Sequence, residues 1–335
     1  MGAGSGKFRR DIVVAGGSAG ALDAFLALAA ALPADFPASL LIVSHVGANR
    51  SQLPELLSRA GKLPATHARH GEAIEPGHIY IAPPDQHLLV DAGRVVLNRG
   101  PRVHFTRPAI DPLFRSAARS YGARVIGVVL SGTGSDGVIG LEAIHAAAGL
   151  TLAQAPTDAL FTEMPQTAVA TVPIDHVVVK AELAPLLVRL VAEPLAAPAR
   201  KTEASNEMTE LERPAGLTCP ECGGTLREID GTALKTYRCH TGHMFAADEL
   251  LGQQLDEVER AVFVAVRVLN EHAELCRRMI EDAHKAGRSH GIAYWTRLKD
   301  EAEAQLQPLQ RFLLRERLSA DDENAESPVT VPVAK

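Results

Sequence analysis

Residues 11 to 193 alternate short apolar runs rich in β-branched residues with segments of helical periodicity. Buried strands are expected at DIVVAG, LLIVSHV, ARVIGVVL, LTLAQA and DHVVVK, and helical patterns lie between most of them. Strands that alternate with helices in this way predict an α/β fold with a doubly wound, mostly parallel sheet. The runs HIYIAP, QHLLVD and RVVLNR follow one another without a helix. We expect them to form an antiparallel hairpin excursion with a turn at Ala92-Gly93.

The composition changes after residue 193, and the chain divides into five predicted parts. A segment rich in Pro, Ala and charged residues is typical of a linker, and apolar residues spaced by three and four predict long helices. The helices are followed by a polar tail that we expect to be disordered. The predicted parts are a catalytic-type α/β domain (10–193), a linker (194–217), a Cys/His module (218–247), a helical hairpin (248–318) and the tail (319–335).

Net charge and cysteine use exclude several classes of protein. A formal net charge of -6 over 335 residues disfavours a general nucleic-acid surface. No uncharged apolar run is long enough to cross a bilayer, so we expect no membrane insertion. All four cysteines lie after residue 218, which does not fit a secreted protein stabilised by disulfides. We therefore expect a cytoplasmic protein.

Three polar residues follow three of the predicted parallel strands. Ser18 follows IVVAGG, His45 follows LLIVS, and Asp136 lies in the loop SGTGSDG after VIGVVL. The carboxyl ends of parallel strands meet at one edge of a sheet, where active sites form. Ser, His and Asp together are the set needed for nucleophilic acyl transfer. The pattern Gly16-x-Ser18-x-Gly20 also fits a sharp turn that exposes a nucleophilic hydroxyl.

Each of these residues also has a structural interpretation. Ser18 could cap the following helix, His45 could be a polar residue at a strand end, and Asp136 could cap the helix that begins near Gly137. The glycines of SGTGSDG spell GxGxxG, which is typical of a dinucleotide-binding loop. A carboxylate at position 136 would repel a pyrophosphate, so a nucleotide-binding protein is the weaker alternative.

Five motifs lie in order within this segment: VVAGGSAG, IVSHV, PGHIYIAPPDQHLLV, TRPAIDPLFRSAA and GVVLSGTGSDG. Together they resemble the catalytic domain of the chemotaxis protein-glutamate methylesterases (CheB-type). The resemblance implies that Ser18, His45 and Asp136 are a catalytic triad that needs no cofactor. It implies hydrolysis of glutamate γ-methyl esters on chemoreceptors, often with glutamine deamidation. The backbone N–H groups of Ala19 and Thr133 are candidates for an oxyanion hole.

The chain departs from the usual family pattern in three ways. Ala19 and Thr133 stand where Thr and Met are usual, and Ser44 stands where Gln is common. Only about ten residues precede the first strand, so we expect no N-terminal receiver domain and no control by phosphorylation in cis. The chain resembles receiver-less relatives with a cysteine-containing C-terminal extension. Expected partners are methylated cytoplasmic receptor helices, and a methyltransferase or another signalling protein.

A metal site is predicted in the C-terminal third. TCPECGG supplies Cys219 and Cys222, and YRCHTGHMF supplies Cys239 and His243. Two such knuckles about 16 residues apart fit a closed, structural Zn²⁺ site with three Cys and one His ligand. His240 is an alternative fourth ligand, and redox-active or free thiols are the alternative to a metal.

The predicted helical hairpin offers a non-enzymatic alternative. A long helix with an apolar stripe can mediate oligomerisation or hold a partner. A signalling adaptor that acts through these helices would not need Ser18, His45 and Asp136, so their presence together favours the enzyme. Cys276 falls near the apolar stripe, where we expect a small buried residue.

Overall fold

The computed structural model describes residues 9–45, 51–195 and 212–325. The chain forms two compact units, Met1–Leu250 and Leu251–Lys335. A seven-stranded sheet lies at the centre of the first unit, and all of its pairings are parallel. In spatial order its strands are β3 (Ala65–His67), β4 (Ile79–Ile81), β2 (Ser39–Ser44), β1 (Ile12–Gly17), β7 (Val125–Val129), β8 (Leu150–Gln154) and β9 (His176–Val178).

Helices cover both faces of this sheet, as the alternating sequence pattern predicts. Within the described residues up to 195 the α-helices are α1 (Leu22–Ala31), α2 (Leu53–Ala60), α3 (Ile110–Tyr121), α4 (Val138–Ala146), α5 (Glu163–Thr171) and α6 (Lys180–Ala192). One apolar core joins α1, α2 and α6 to the sheet, and a second joins α3, α4 and α5. Val13 belongs to the first core and Val14 to the second, because successive side chains of a strand point to opposite faces. The doubly wound prediction is confirmed.

The antiparallel excursion is smaller than expected. Only β5 (His87–Asp91) and β6 (Arg94–Asn98) pair in this way, around a turn at Ala92 and Gly93. Both turn residues have positive φ, of 45° and 82°, as a tight two-residue hairpin requires. The expectation that HIYIAP is antiparallel was wrong. Ile79–Ile81 inserts between β2 and β3 as a parallel strand, and its three residues are buried, as is typical of a parallel sheet with both faces covered.

A second, four-stranded antiparallel sheet completes the first unit. Its strands are β10 (Glu212–Thr218), β11 (Thr225–Ile229), β12 (Thr236–Cys239) and β13 (Met244–Ala246). Of the segment predicted as a linker, residues 212–217 already belong to β10, and residues 196–211 lie outside the described residues. The sheet therefore begins before the predicted start of the Cys/His module. We call residues 212–250 the C-terminal module.

Two long helices follow. α7 (Ala247–Lys285) starts in the first unit, and α8 (Ser289–Ala325) comes after a turn at Gly287 with φ of 67°. Within the second unit an ion pair of 3.6 Å between Arg277 and Glu303 joins the helices. Residues 319–325 of the expected disordered tail are helical, and residues 326–335 lie outside the described residues. Across the described ranges, no helix has the length and apolar character that a membrane span requires.

Candidate active site

Ser18, His45 and Asp136 lie at the carboxyl ends of three adjacent strands, β1, β2 and β7. The register of β1 and β2 pairs Gly17 with Ser44, so Ser18 and His45 each follow one member of a cross-strand pair. The loop after β7 brings Asp136 to the same edge. The structure therefore places the three residues at the edge that the strand order predicts.

His45 and Asp136 are joined by a hydrogen bond of 2.8 Å between Nε2 and Oδ2. The Asp136 side chain is 2% exposed, and it also accepts the backbone N–H groups of Ile110 at 2.7 Å and Asp111 at 2.9 Å. Burial raises the pKa of Asp136, but the hydrogen bond from His45 and the charge of His104 outweigh it and lower the pKa below its usual value. Asp136 is thus a buried carboxylate that fixes one ring nitrogen of His45 and leaves Nδ1 for another partner.

Ser18 lies in the turn between β1 and α1. Its backbone N–H donates to the carbonyl of Ser131 at 2.9 Å, and its carbonyl accepts the N–H of Ala21 at 3.1 Å. Helix α1 begins at Leu22, with Ala21 at the N-cap position. Ser18 is therefore not the cap of this helix, which removes its structural alternative.

The loop SGTGSDG runs against Ser18. A Cβ added to Gly132 would lie 2.9 Å from the Cβ of Ser18 and would overlap the Met164 side chain. Gly137, with φ of 95°, takes the N-cap position of α4, so Asp136 is not the helix cap. The glycines thus allow a close approach and a tight turn, while the Asp136 carboxylate bonds to His45 and to the first residues of α3.

Exposed apolar side chains lie beside the turn that carries Ser18. Leu22, Leu160 and Phe161 are 45%, 75% and 41% exposed. A Cβ on Gly20 would lie 2.7 Å from Leu160 and 3.1 Å from Phe161, which places these residues beside the Ser18 turn. Exposed apolar groups next to a reactive edge can hold an apolar surface of a substrate.

A buried cluster that the sequence reasoning did not identify lies behind Asp136. The ring of His104 donates from Nε2 to Asp111 at 2.9 Å and from Nδ1 to Glu249 at 2.6 Å, and Nε2 is 4.0 Å from Asp136 Oδ1. The side chains of His104 and Asp111 are 2% and 0% exposed. No spacing rule relates positions 104, 111 and 249, and the only local signal is an acidic residue in the first turn of α7.

The charges of this cluster follow from its geometry. Burial lowers the pKa of His104, but the charge of Glu249 and the hydrogen bond that His104 donates to Asp111 raise it well above 6.5. Burial raises the pKa of Asp111. Burial also acts to raise the pKa of Glu249, but the charge of His104 and the hydrogen bonds from His104, Ala246 and Ser135 together outweigh it and lower that pKa. His104 is therefore an imidazolium that gives both N–H groups to carboxylates.

Three of these residues also place ligand atoms close enough for a metal. Atoms of His104, Asp111 and Asp136 lie within 4.8 Å of one another. Asp111 already accepts the Gly140 N–H at 2.6 Å in addition to His104, and Asp136 accepts two backbone amides. Hydrogen bonds therefore occupy these ligand atoms, and a cation would have to displace the donors to bind there.

The structure brings the four predicted ligands of the Cys/His site together. Ligand atoms of Cys219, Cys222, Cys239 and His243 lie within 4.8 Å of one another. The Sγ atoms of Cys222 and Cys239 are 3.7 Å apart, and His243 Nδ1 is 3.5 Å from Cys239 Sγ and 3.7 Å from Cys219 Sγ. A tetrahedral ion with bonds of about 2.3 Å to sulfur and about 2.0 Å to nitrogen has S···S edges of about 3.8 Å and S···N edges of about 3.5 Å. The donors and their spacing fit Zn²⁺.

The alternative ligand His240 is outside this group. It is exposed, and its ring lies against Gly224. Cys276 lies in α7 and is 1% exposed, in keeping with the small buried residue expected there.

Known proteins resemble the first part of the chain. A sequence profile of the family described as CheB methylesterase matches residues 13–187. A relative from Leptospira interrogans is 35% identical over 182 residues, which cover 54% of this chain and 94% of the relative. A relative from Anaeromyxobacter dehalogenans is 39% identical over 170 residues, which cover 50% of each chain. The names of both contain protein-glutamate methylesterase/protein-glutamine glutaminase.

The fold has a solved counterpart. The CheB methylesterase catalytic domain of Thermotoga maritima aligns with a TM-score of 0.53 and 29% identity, over 55% of this chain and 100% of that domain. The range of the family profile, residues 13–187, spans the seven-stranded sheet from the second residue of β1 onward and its helices up to the middle of α6. The chain spans nearly the whole length of the Leptospira relative and about half of the Anaeromyxobacter relative.

Proposed function

The chain belongs to the CheB methylesterase family, and we propose that Ser18, His45 and Asp136 are the residues with which it hydrolyses glutamate γ-methyl esters. The chain is a protein-glutamate methylesterase, a serine hydrolase whose relatives are also named for glutamine deamidation. The observation that carries the assignment is the hydrogen bond of 2.8 Å between His45 and the buried Asp136, at the strand edge that also carries Ser18.

In the proposed reaction Ser18 Oγ attacks the γ-carbonyl carbon of the methyl ester. His45 Nδ1 takes the serine proton as the C–O bond forms, and Asp136 stabilises the imidazolium through Nε2. The tetrahedral intermediate expels the methoxy group, which takes the proton from His45 and departs as methanol, and a glutamyl ester remains on Ser18. Water, deprotonated by His45, then attacks this ester, and the serine recovers its proton as glutamate departs. Glutamine deamidation follows the same steps with ammonia as the leaving group.

The oxyanion of this intermediate needs two N–H donors. The N–H groups of Ser18 and Gly132 are engaged by the carbonyls of Ser131 and Phe161. We assign the oxyanion hole to the next residues along each loop, through the backbone N–H groups of Ala19 and Thr133. A backbone role agrees with the change of side chain at both positions relative to the usual family pattern.

The proposed substrates are methylated cytoplasmic helices of chemoreceptors. The exposed residues Leu22, Leu160 and Phe161 beside Ser18 offer an apolar surface for such a helix. A substrate of this kind and the cysteine distribution support the cytoplasmic location that we propose for the enzyme. Other proposed partners are a chemotaxis-type methyltransferase or another signalling protein, and further copies of the chain held through α7 and α8.

We also assign a structural Zn²⁺ to Cys219, Cys222, Cys239 and His243. Four protein ligands at tetrahedral spacing complete the shell of the ion, so it has no open position for catalysis. The ion would hold the two turns of a small sheet that buries few apolar side chains of its own.

A methanol-release assay on membranes that carry methylated chemoreceptors tests the proposed function. We expect Ser18→Ala to abolish release, and a serine-directed phosphonate to label the wild-type protein at Ser18. Ser120→Ala is the matched control. Ser120 lies in the last turn of α3, away from the reactive edge, and its hydroxyl donates to the carbonyl of Val90. Release by Ser18→Ala at the wild-type rate would refute the assignment.

A further inference from the structure

The C-terminal module packs against the segment that precedes α3. Val103 and Met244 form a parallel bridge, and the N–H of His104 donates to the carbonyl of Met244 at 2.9 Å. The rings of Phe105 and Phe245 are 4.5 Å apart. These contacts lie within one compact unit and bring the start of α7 close to the loop that carries Asp136.

Glu249, in the first turn of α7, contacts that loop directly. Its Oε1 accepts the backbone N–H of Ser135 at 3.3 Å and the Ser135 hydroxyl at 3.0 Å. Its Oε2 accepts from His104 Nδ1 at 2.6 Å and from the Ala246 N–H at 3.1 Å. Ser135 is the residue before Asp136, so one carboxylate of the C-terminal module holds the backbone from which the Asp136 side chain projects.

His104 carries the connection to the other side of Asp136. Its second nitrogen donates to Asp111 at 2.9 Å, and the N–H of Asp111 donates to Asp136 Oδ1 at 2.9 Å. Asp136 is thus held from its own loop, through Ser135 and Glu249, and from the start of α3, through Asp111 and His104. The two routes meet at the contact between His104 and Glu249.

The charges also favour a role beyond docking. Three carboxylates face His104: Asp111 from α3, Asp136 from the loop after β7 and Glu249 from α7. β13 contributes only the carbonyl of Met244. A buried cation among buried anions costs desolvation energy and is weak evidence for stability alone.

Other contacts also attach the C-terminal module to the α/β domain. Glu142 Oε2 accepts the N–H of Ala233 at 2.8 Å, and Arg102 pairs with Glu221 at 3.3 Å. The C-terminal module is therefore attached at other points as well, and the position of the charged cluster beside Asp136 points to the reaction.

We propose that Glu249 and His104 are positioning residues of the esterase, so that the C-terminal module completes the active site. This inference rests on the proposed function, because it takes Asp136 to orient His45. Glu249 fixes the Ser135–Asp136 backbone, and His104 supplies a fixed positive charge that keeps Asp136 ionised without taking its hydrogen bond from His45.

The test compares the full chain with Glu249→Gln, and with Glu142→Gln as the matched control at the other contact with the C-terminal module. For each, kcat and KM are measured by methanol release from membranes with methylated receptors, across pH, and folding is checked by thermal unfolding. Because a small displacement of a reacting group costs about 10²-fold in rate, we expect Glu249→Gln to lower kcat at least tenfold with KM within about twofold. Loss of one carboxylate lowers the pKa of His104, so the alkaline limb of kcat should move to lower pH.

The outcomes separate this inference from the proposed function. If Ser18→Ala is inactive and Glu249→Gln keeps the wild-type kcat and pH profile, positioning by Glu249 is refuted while the esterase assignment stands. An equal loss in Glu142→Gln refutes it too, because docking then explains the effect. If Ser18→Ala stays active, the esterase assignment itself fails. If Glu249→Gln does not fold, Ser135→Ala replaces it as the test variant, because it removes one hydrogen bond to Glu249. A lower kcat with an unchanged KM supports the inference, and an unchanged kcat overturns it.

Discussion

His104 and Asp136 lie 4.0 Å apart and yet share no hydrogen bond, because His104 gives both ring N–H groups to other carboxylates. Asp136 therefore has a neighbouring positive charge and keeps its own oxygens for His45 and two backbone amides. The nearby positive charge of His104 and the hydrogen bonds to the Asp136 carboxylate therefore come from different groups.

Replacing His104 tests this buried cation. We expect His104→Gln to lower the free energy of unfolding at neutral pH by about 3–5 kcal/mol, because it leaves the buried Asp111 and Asp136 and the half-buried Glu249 without their counter-charge. The pKa of His104 is raised in the folded state, so its contribution is full below its unfolded value of 6.5 and is lost as pH rises through the raised folded value. The difference between wild type and His104→Gln should therefore shrink at alkaline pH, as measured by urea unfolding.

The contribution of Glu249 to stability depends on pH in the opposite direction to that of His104. The pKa of Glu249 is lowered in the folded state, so its contribution is present above 4.5 and lost as pH falls through the lowered folded value. His104 and Glu249 therefore both contribute fully to stability between pH 4.5 and pH 6.5. His145→Gln is the control, because His145 is exposed in the last turn of α4 and its replacement leaves the buried cluster intact. A pH-independent difference for His104→Gln would contradict the buried imidazolium.

Replacing Asp136 by Asn tests the orientation of His45. The amide keeps the size of the side chain but cannot hold the imidazole in the required tautomer, and we expect kcat to fall about 10⁴-fold. Methanol release at saturating receptor measures the loss. Asp91→Asn, at an exposed position at the end of β5, should be unaffected. A fall of less than tenfold for Asp136→Asn would show that another group orients His45.

The space at Gly132 gives a steric prediction. A methyl group there would lie 2.9 Å from the Cβ of Ser18 and overlap Met164, so Gly132→Ala must displace the Ser18 turn. We expect a loss of about 10²-fold in kcat, the usual cost of a small displacement of a reacting group. Gly252→Ala, in α7 with no atom within 4 Å of the added Cβ, should keep full activity and gain about 0.5–1 kcal/mol of stability. Wild-type kcat in Gly132→Ala would mean that the turn tolerates the shift.

Metal removal should act on the C-terminal module first. We expect about one zinc per chain in the purified protein, and a chelator should lower its melting temperature because the small sheet loses its cross-link. Cys222 is exposed, whereas Cys219 and Cys239 are 1% and 4% exposed. Mass spectrometry after brief alkylation should therefore find Cys222 modified first, and only after chelation. Alkylation that is as fast before chelation as after it would contradict the metal site.

The sequence predicted the main sheet well because its signals are local. Buried β-branched runs, helical periodicity and the strand-end positions of Ser18, His45 and Asp136 can all be read without tertiary information. The Cys/His site was predictable for the same reason, since its ligands lie in two short knuckles. The pairing of Ile79–Ile81 was not, because a three-residue apolar strand carries no signal of its direction.

The cluster around His104 was beyond sequence reasoning. Its contact with Glu249 joins residues 145 positions apart, and a single His or Glu in a polar segment has no distinguishing pattern. The contact depends on how β13 docks beside residue 103, which follows from three-dimensional packing and not from any periodicity.

The order β2, β1, β7 at the sheet centre also bears on when the enzyme can act. Ser18 and His45 are made early, but the residue that orients His45 comes 91 positions after it, on the far side of β1. A growing or partly folded chain that lacks β7 beside β1 holds a serine and a histidine without their aspartate. On the proposed mechanism, hydrolysis at the full rate requires β7 to lie beside β1, so ester cleavage reports this long-range pairing, which the content of secondary structure does not.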